Sequence, residues 1–78
     1  MVKVKTGREY AKRYALKCLM AYVEGEQSLN WIIGAIRWSV KEGLTLSDLS
    51  QLFDRLQDYG DAHRYREAKA ACEERGWI

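Results

Sequence analysis

Apolar residues recur along this 78-residue chain at intervals of three and four, rather than in the strict alternation that a half-buried strand requires. Glycine interrupts the recurrence every 16 to 18 residues, at positions 7, 25, 43, 60 and 76. Glycine just beyond a helix end is the usual left-handed C-terminal cap. The pattern therefore predicts an all-α fold, with residues 1–78 forming one compact bundle of about four short helices. The predicted helices span roughly 6–24, 28–42, 45–59 and 61–75.

Residues that accept hydrogen bonds from free backbone amides mark each predicted helix start. Thr6, with a glutamate three positions later, fits a capping box for the first helix. Thr45, with Asp48 three positions later and with Leu44 and Leu49 at the two ends of a hydrophobic staple, gives the strongest helix start. Ser28 and Asp61 are predicted to be simple N-caps of the second and fourth helices.

On helical wheels, each predicted helix has an apolar face for a shared core. The predicted core positions are Ala11, Ala15, Leu16, Cys18, Leu19, Met20, Tyr22, Val23, Leu29, Ile32, Ile33, Ile36, Val40, Leu46, Leu49, Leu52, Phe53, Leu56, Ala62, Tyr65, Ala68 and Cys72. Three Trp and five Tyr bring more large aromatic surface than a core of this size requires. We therefore expect some aromatic side chains to lie at the surface.

Two tryptophans stand out on the second helix, opposite its aliphatic stripe. Trp31 and Trp38 are seven residues apart, so they project from nearly the same line, and Gly34 falls between them on that face. One interpretation is an exposed notch that receives a side chain or a helix of a partner protein. A second is that this helix is central and buried on both sides, and that Gly34 lets a neighbouring helix approach closely. A third is a homodimer seam.

The first helix is basic. Residues 1–17 carry six basic side chains and one acid, a net charge of +5, whereas the whole chain carries +2. One face of this helix combines the basic side chains with tyrosines at helical spacing: Tyr10, Arg13, Tyr14 and Lys17. Such a face suits an acidic protein surface, with the charges steering the encounter. It also suits nucleic acid, for which the candidate contacts are Lys3, Lys5, Arg8, Lys12, Arg13 and Lys17.

The residue inventory offers little for catalysis. His63 is the only histidine, and it lies one helical turn from Glu67 with no second cluster to complete a metal site. Cys18 and Cys72 are too far apart in sequence for a zinc motif, and we expect two buried free thiols. No phosphate-binding glycine loop is present. The sequence thus predicts a protein that is not an enzyme and that uses no cofactor and no metal.

Together these features predict a small non-enzymatic binding protein, an adaptor or inhibitor that docks on a larger protein. Proteins of this size and composition are common among the regulators that phages and other mobile elements encode. The predicted docking residues are Trp31, Gly34, Trp38, Tyr10, Arg13, Tyr14 and Lys17. A nucleic-acid-binding module and a structural homodimer are the alternatives. The N-terminus carries charge at once and no signal peptide is visible, so we expect a cytoplasmic protein without a membrane partner.

Overall fold

Four α-helices make up the secondary structure of residues 7–78, the part of the chain that the computed structural model describes. They are α1 (Arg8–Val23), α2 (Leu29–Lys41), α3 (Leu46–Arg55) and α4 (Ala62–Glu74), and no strand occurs between residues 7 and 78. The predicted all-α bundle of about four short helices is confirmed. Helix α1 packs most extensively on α2 and also contacts α3 and α4, so it is the central element of the bundle.

The three N-caps predicted for the later helices are confirmed. Ser28 accepts a hydrogen bond from the amide of Trp31 at 3.2 Å, and Asp61 accepts from the amides of His63 and Arg64. At α3 the capping box is reciprocal. The Thr45 hydroxyl accepts from the Asp48 amide at 3.0 Å, while the Asp48 carboxylate accepts from the Thr45 amide at 3.1 Å.

The predicted start of α1 is wrong by one residue. Gly7, with φ 76° and ψ −148°, is the N-cap of α1, and no side chain between residues 7 and 78 caps this helix end. Thr6, the predicted cap, lies outside the described residues. A glycine suits this position because its backbone conformation is in the region that side-chain-bearing residues rarely adopt.

The predicted end of α3 is also wrong, by four residues. The helix ends at Arg55, and residues 57–60 form turns and bends instead of a continued helix. Gly60 does not cap α3 directly: a Cβ added there would lie 2.7 Å from the Val23 carbonyl oxygen at the end of α1. The next amide, that of Asp61, donates to the same Val23 oxygen at 2.9 Å. Gly60 and Asp61 therefore pack on the C-terminal end of α1, where the Asp61 amide satisfies the free Val23 carbonyl.

The core consists largely of the predicted positions, with corrections at helix starts. Leu46 and Ala62, the first residues of α3 and α4, are exposed, because the apolar packing of these helices begins one turn later, at Leu49 and at Tyr65. Ala35 and Ser39 of α2 are buried although they were not predicted. The buried Ser39 hydroxyl donates to the Ala35 carbonyl of the same helix at 3.0 Å, so its burial leaves no unsatisfied donor.

Candidate functional site

The two candidate surfaces of the sequence meet where α1 packs against α2. The two helices run antiparallel after a five-residue connection, so the start of α1 lies beside the end of α2. There the Trp38 ring packs edge-on against Tyr10, with ring centroids 5.9 Å apart, and against Tyr14, at 5.1 Å. Tyr10 and Tyr14 stack on each other at 6.3 Å. These three rings form one aromatic cluster that spans both helices.

The outer face of α2 is open. Trp31 is 37% exposed and Trp38 is 38% exposed, values that are high for indole side chains. A Cβ added to Gly34 would have no neighbour within 4 Å, and Gly34 itself is exposed. We call Trp31, Gly34 and Trp38 the α2 notch. The interpretation that α2 is buried on both sides, with Gly34 under another helix of the chain, is therefore wrong for residues 7–78.

The predicted face of α1 forms a shallow groove of about 230 Å³, lined by Tyr10, Arg13, Tyr14 and Lys17. We call these four residues the α1 groove. Arg13 and Lys17 are exposed, and neither forms an ion pair within the described part of the chain. Tyr10 is the most exposed of the aromatic rings, at 46%. The groove thus presents two cations and two phenol rings to the solvent.

Two further cations on α2 are not among the predicted docking residues. Arg37 and Lys41 are exposed and lie three residues beyond Gly34 and Trp38, so they border the α2 notch. Arg37 occupies the edge of α2 remote from α1, with its guanidinium 6.0 Å from the ring of Trp77. Their positions, three residues after Gly34 and after Trp38, would have placed both cations beside the notch on a helical wheel. Together α1 and α2 carry six basic residues and a single acid, Glu9.

The described nucleic-acid candidates, Arg8, Lys12, Arg13 and Lys17, do not all lie on one surface. Arg8 is engaged within the protein: its Nε donates to the Asp48 carboxylate at 2.7 Å and its Nη2 donates at 2.9 Å. This guanidinium holds the pKa of the Asp48 carboxyl far below its usual range. Lys12 is half-buried and lies about 160° around α1 from Tyr10. Lys3 and Lys5 lie outside the described residues. Of the four described members of the set, Arg13 and Lys17 line the α1 groove.

Two charged residues of α4, Arg64 and Glu67, contact the C-terminal end of α1. The Arg64 Nε donates to the Tyr22 carbonyl at 2.6 Å, and Arg64 also bonds the Gln27 carbonyl. The Arg64 guanidinium lies 4.4 Å from the Tyr22 ring centroid, and the buried Tyr22 hydroxyl donates to Glu67 at 2.9 Å. Arg64 therefore closes the C-terminal end of α1, where free carbonyls need donors.

The side chains with catalytic potential are dispersed. Cys18 and Cys72 are free and buried, as predicted, and burial raises the pKa of both thiols, that of Cys72 to about 12. His63 pairs with Glu67 at 3.5 Å on the exposed surface of α4. Between residues 7 and 78, no three His, Cys, Asp or Glu side chains are grouped closely enough to hold a metal ion.

None of the described helices is long and apolar enough to cross a lipid bilayer. No family model, no curated protein and no solved structure matches this chain. The class that the fold itself defines is a small all-α bundle, and its most distinctive surface is the one shared by α1 and α2. We call this surface the aromatic–basic face; it comprises the α2 notch and the α1 groove.

Proposed function

We propose that this protein is a non-enzymatic binding protein, an adaptor or inhibitor that docks on the acidic surface of a larger protein through its aromatic–basic face. The observation that carries the proposal is the position of Trp38. Its ring contacts both tyrosines of the α1 groove while it also bounds the α2 notch. The two surfaces are therefore one continuous patch, with aromatic rings inside and cations around them.

The chemistry of the patch is that of a protein interface. Trp and Tyr are enriched among the residues that dominate binding energy, because they bring large area at little conformational cost. Trp31, Trp38 and Tyr10 are each exposed by more than a third in the free protein, so burial by a partner would remove apolar surface from water. The cations Arg13, Lys17 and Arg37 would mainly raise the rate of encounter with an acidic surface.

Nucleic acid is the second candidate, favoured by the α1 groove, in which Arg13 and Lys17 flank two tyrosine rings. Less supports it, because Arg8 is held by Asp48 and Lys12 lies off the groove. A symmetric homodimer through this face is disfavoured, since it would bring like charges from both copies together.

Site-specific photo-crosslinking in the native cell tests the proposal. A benzophenone side chain is placed at Asn30, beside the α2 notch, and in a control at Ala70, which is exposed on α4. The expected result is a protein captured from Asn30 and not from Ala70. That protein is then purified and its binding kinetics are measured with the unmodified chain.

The kinetics separate the classes of partner. Arg13→Ala and Lys17→Ala should slow association, whereas Trp31→Ala should speed dissociation by about tenfold or more. Arg66→Ala, at an exposed position of α4, is the matched charge control and should change neither rate.

The proposal is wrong if the Asn30 probe captures nucleic acid, or if neither Trp31→Ala nor Arg13→Ala changes the binding kinetics. Nucleic-acid binding would weaken steeply between about 50 and 200 mM salt.

A further inference from the structure

Gly34 differs from every other glycine of the chain. The other five glycines have positive φ angles, from 71° to 116°, which side-chain-bearing residues rarely adopt. Gly34 has ordinary helical geometry in the middle of α2, and a Cβ there would have no neighbour within 4 Å. Glycine in a helix interior is less favourable than alanine by about 1 kcal/mol. Neither the backbone of α2 nor the packing of residues 7–78 requires a glycine here.

The spacing of the two indoles suits the side-chain ridge of a helix that crosses α2. Trp31 and Trp38 are seven residues apart, which corresponds to about 10.5 Å along the helix axis. An α-helix with its side chains is about 10–12 Å across. Because the indoles themselves occupy part of this spacing, one ridge of side chains from a helix that crosses α2 at Gly34, rather than the whole helix, would enter between them. The missing side chain at position 34 would let the two backbones approach closely.

Charge defines the chemistry of that helix. Lys17 of the α1 groove lies on the α1 side of the notch, and Arg37 lies on the edge remote from α1. A helix crossing the notch would pass cations on both sides. Complementarity then requires acidic residues along its flanks and apolar residues on the side that meets the indoles.

Resting on the function proposed above, we propose that the partner contributes an acidic amphipathic α-helix, which crosses α2 at Gly34 between Trp31 and Trp38. A small side chain of that helix lies over Gly34, and larger apolar side chains contact the indoles. Asp and Glu residues on its flanks face Lys17 on one side and Arg37 on the other.

Selection from a peptide library tests this inference. Displayed peptides of about 18 residues, long enough for a stable helix and random in sequence, are panned on the wild-type protein. Enriched peptides are then synthesised, and their affinities are measured for the wild type, Gly34→Leu, Trp31→Ala and Ala70→Leu. Leucine at position 34 fills the notch and has a higher helix propensity than glycine, so it favours α2 itself. Ala70→Leu adds the same bulk on α4 and serves as the matched control.

The expected peptides are acidic, have apolar residues at helical spacing and gain helical circular dichroism on binding. Their affinity should fall about tenfold or more with Gly34→Leu, and with Trp31→Ala, and remain unchanged with Ala70→Leu. Circular dichroism of the free Gly34→Leu protein confirms that its fold is retained. Thermal unfolding at or above the wild-type midpoint is expected for this variant.

The two proposals fail in different ways. Peptides that lose affinity with Trp31→Ala but bind Gly34→Leu normally, or that are extended, proline-rich or basic, would overturn the crossing helix alone. Peptides that are indifferent to Trp31→Ala as well, or the absence of any enriched peptide, would count against the aromatic–basic face and hence against the proposed function.

Discussion

Trp38 meets Tyr14 edge-on across the α1–α2 packing, with ring centroids 5.1 Å apart and ring planes at 72°. The same indole is 38% exposed and bounds the α2 notch. Trp38 therefore combines two roles, since it holds the two helices together and offers surface to a partner. Trp31 has no ring partner among the described aromatic pairs. Its substitution therefore breaks no ring contact between the helices, and Trp31 is the better probe of binding.

The Tyr14–Trp38 contact should be measurable as a coupling in folding stability. We expect a double-mutant cycle with Tyr14→Ala and Trp38→Ala to give a coupling free energy of about 0.5–1.5 kcal/mol, the usual value for an edge-on aromatic pair. Urea unfolding of the four proteins provides the measurement. A parallel cycle with Tyr14→Ala and Trp31→Ala should show coupling near zero. Equal coupling in both cycles would mean that the ring contact is not the stabilising interaction.

Two glycine substitutions should have opposite effects on stability. Gly34→Ala should raise the free energy of unfolding by about 1 kcal/mol, because a helix-interior glycine is replaced at a site with open space. Gly60→Ala should lower it by about 1–3 kcal/mol, because φ is 71° and the new Cβ would lie 2.7 Å from the Val23 carbonyl oxygen. Denaturant unfolding compares the two variants with the wild type. Destabilisation by Gly34→Ala would show that position 34 is packed in the free protein.

Asp48 should dominate the acid sensitivity of the fold. Its side chain is 3% exposed, completes the α3 capping box and receives both Arg8 bonds, so Asp48→Ala should lower the free energy of unfolding by about 2–3 kcal/mol. Because the pKa of Asp48 is lowered by folding, its ionisation stabilises the protein above the unfolded pKa of about 4. That contribution is lost as the pH falls below about 4 toward the folded value.

The pH dependence can be isolated with conservative variants. The stability difference between the wild type and Asp48→Asn should be largest near neutral pH and should narrow as the pH falls from about 5 to about 2. Asp54→Asn, at an exposed position of the same helix, is the control and should leave the acid limb of the curve unchanged. A constant difference between wild type and Asp48→Asn across this range would rule out the lowered pKa.

Tyr22 should limit stability in alkali. Burial and the hydrogen bond to Glu67 raise the pKa of this phenol to about 12. A raised folded pKa gives stability below the unfolded value of about 10 and loses it as the pH rises through the folded value. We expect the free energy of unfolding of the wild type to fall more steeply above about pH 10 than that of Tyr22→Phe. At neutral pH, Tyr22→Phe should cost about 1 kcal/mol for the lost hydrogen bond. Parallel curves for the two proteins would contradict this assignment.

Local signals in the sequence were sufficient for most of the helix limits. The caps at Ser28, Thr45 and Asp61 act on amides two or three residues away, so their chemistry is visible in a short stretch of sequence. The end of α3 could not be predicted in the same way. In the sequence Gly60 fits a simple helix cap, but in the structure it packs against Val23, which lies 37 positions earlier in the chain.

The candidate site likewise has features that the sequence determined and features that only helix packing decided. Helical spacing in the sequence determined that Trp31, Gly34 and Trp38 share one face and that Tyr10, Arg13, Tyr14 and Lys17 share another, because one helix fixes the direction of its own side chains. Only the tertiary structure decided that the α2 notch is open to solvent and that Trp38 joins it to the α1 groove. It also decided that Arg8 binds Asp48 instead of lining the basic surface. Those outcomes depend on how helices pack against one another, which the periodicity of a single helix does not specify.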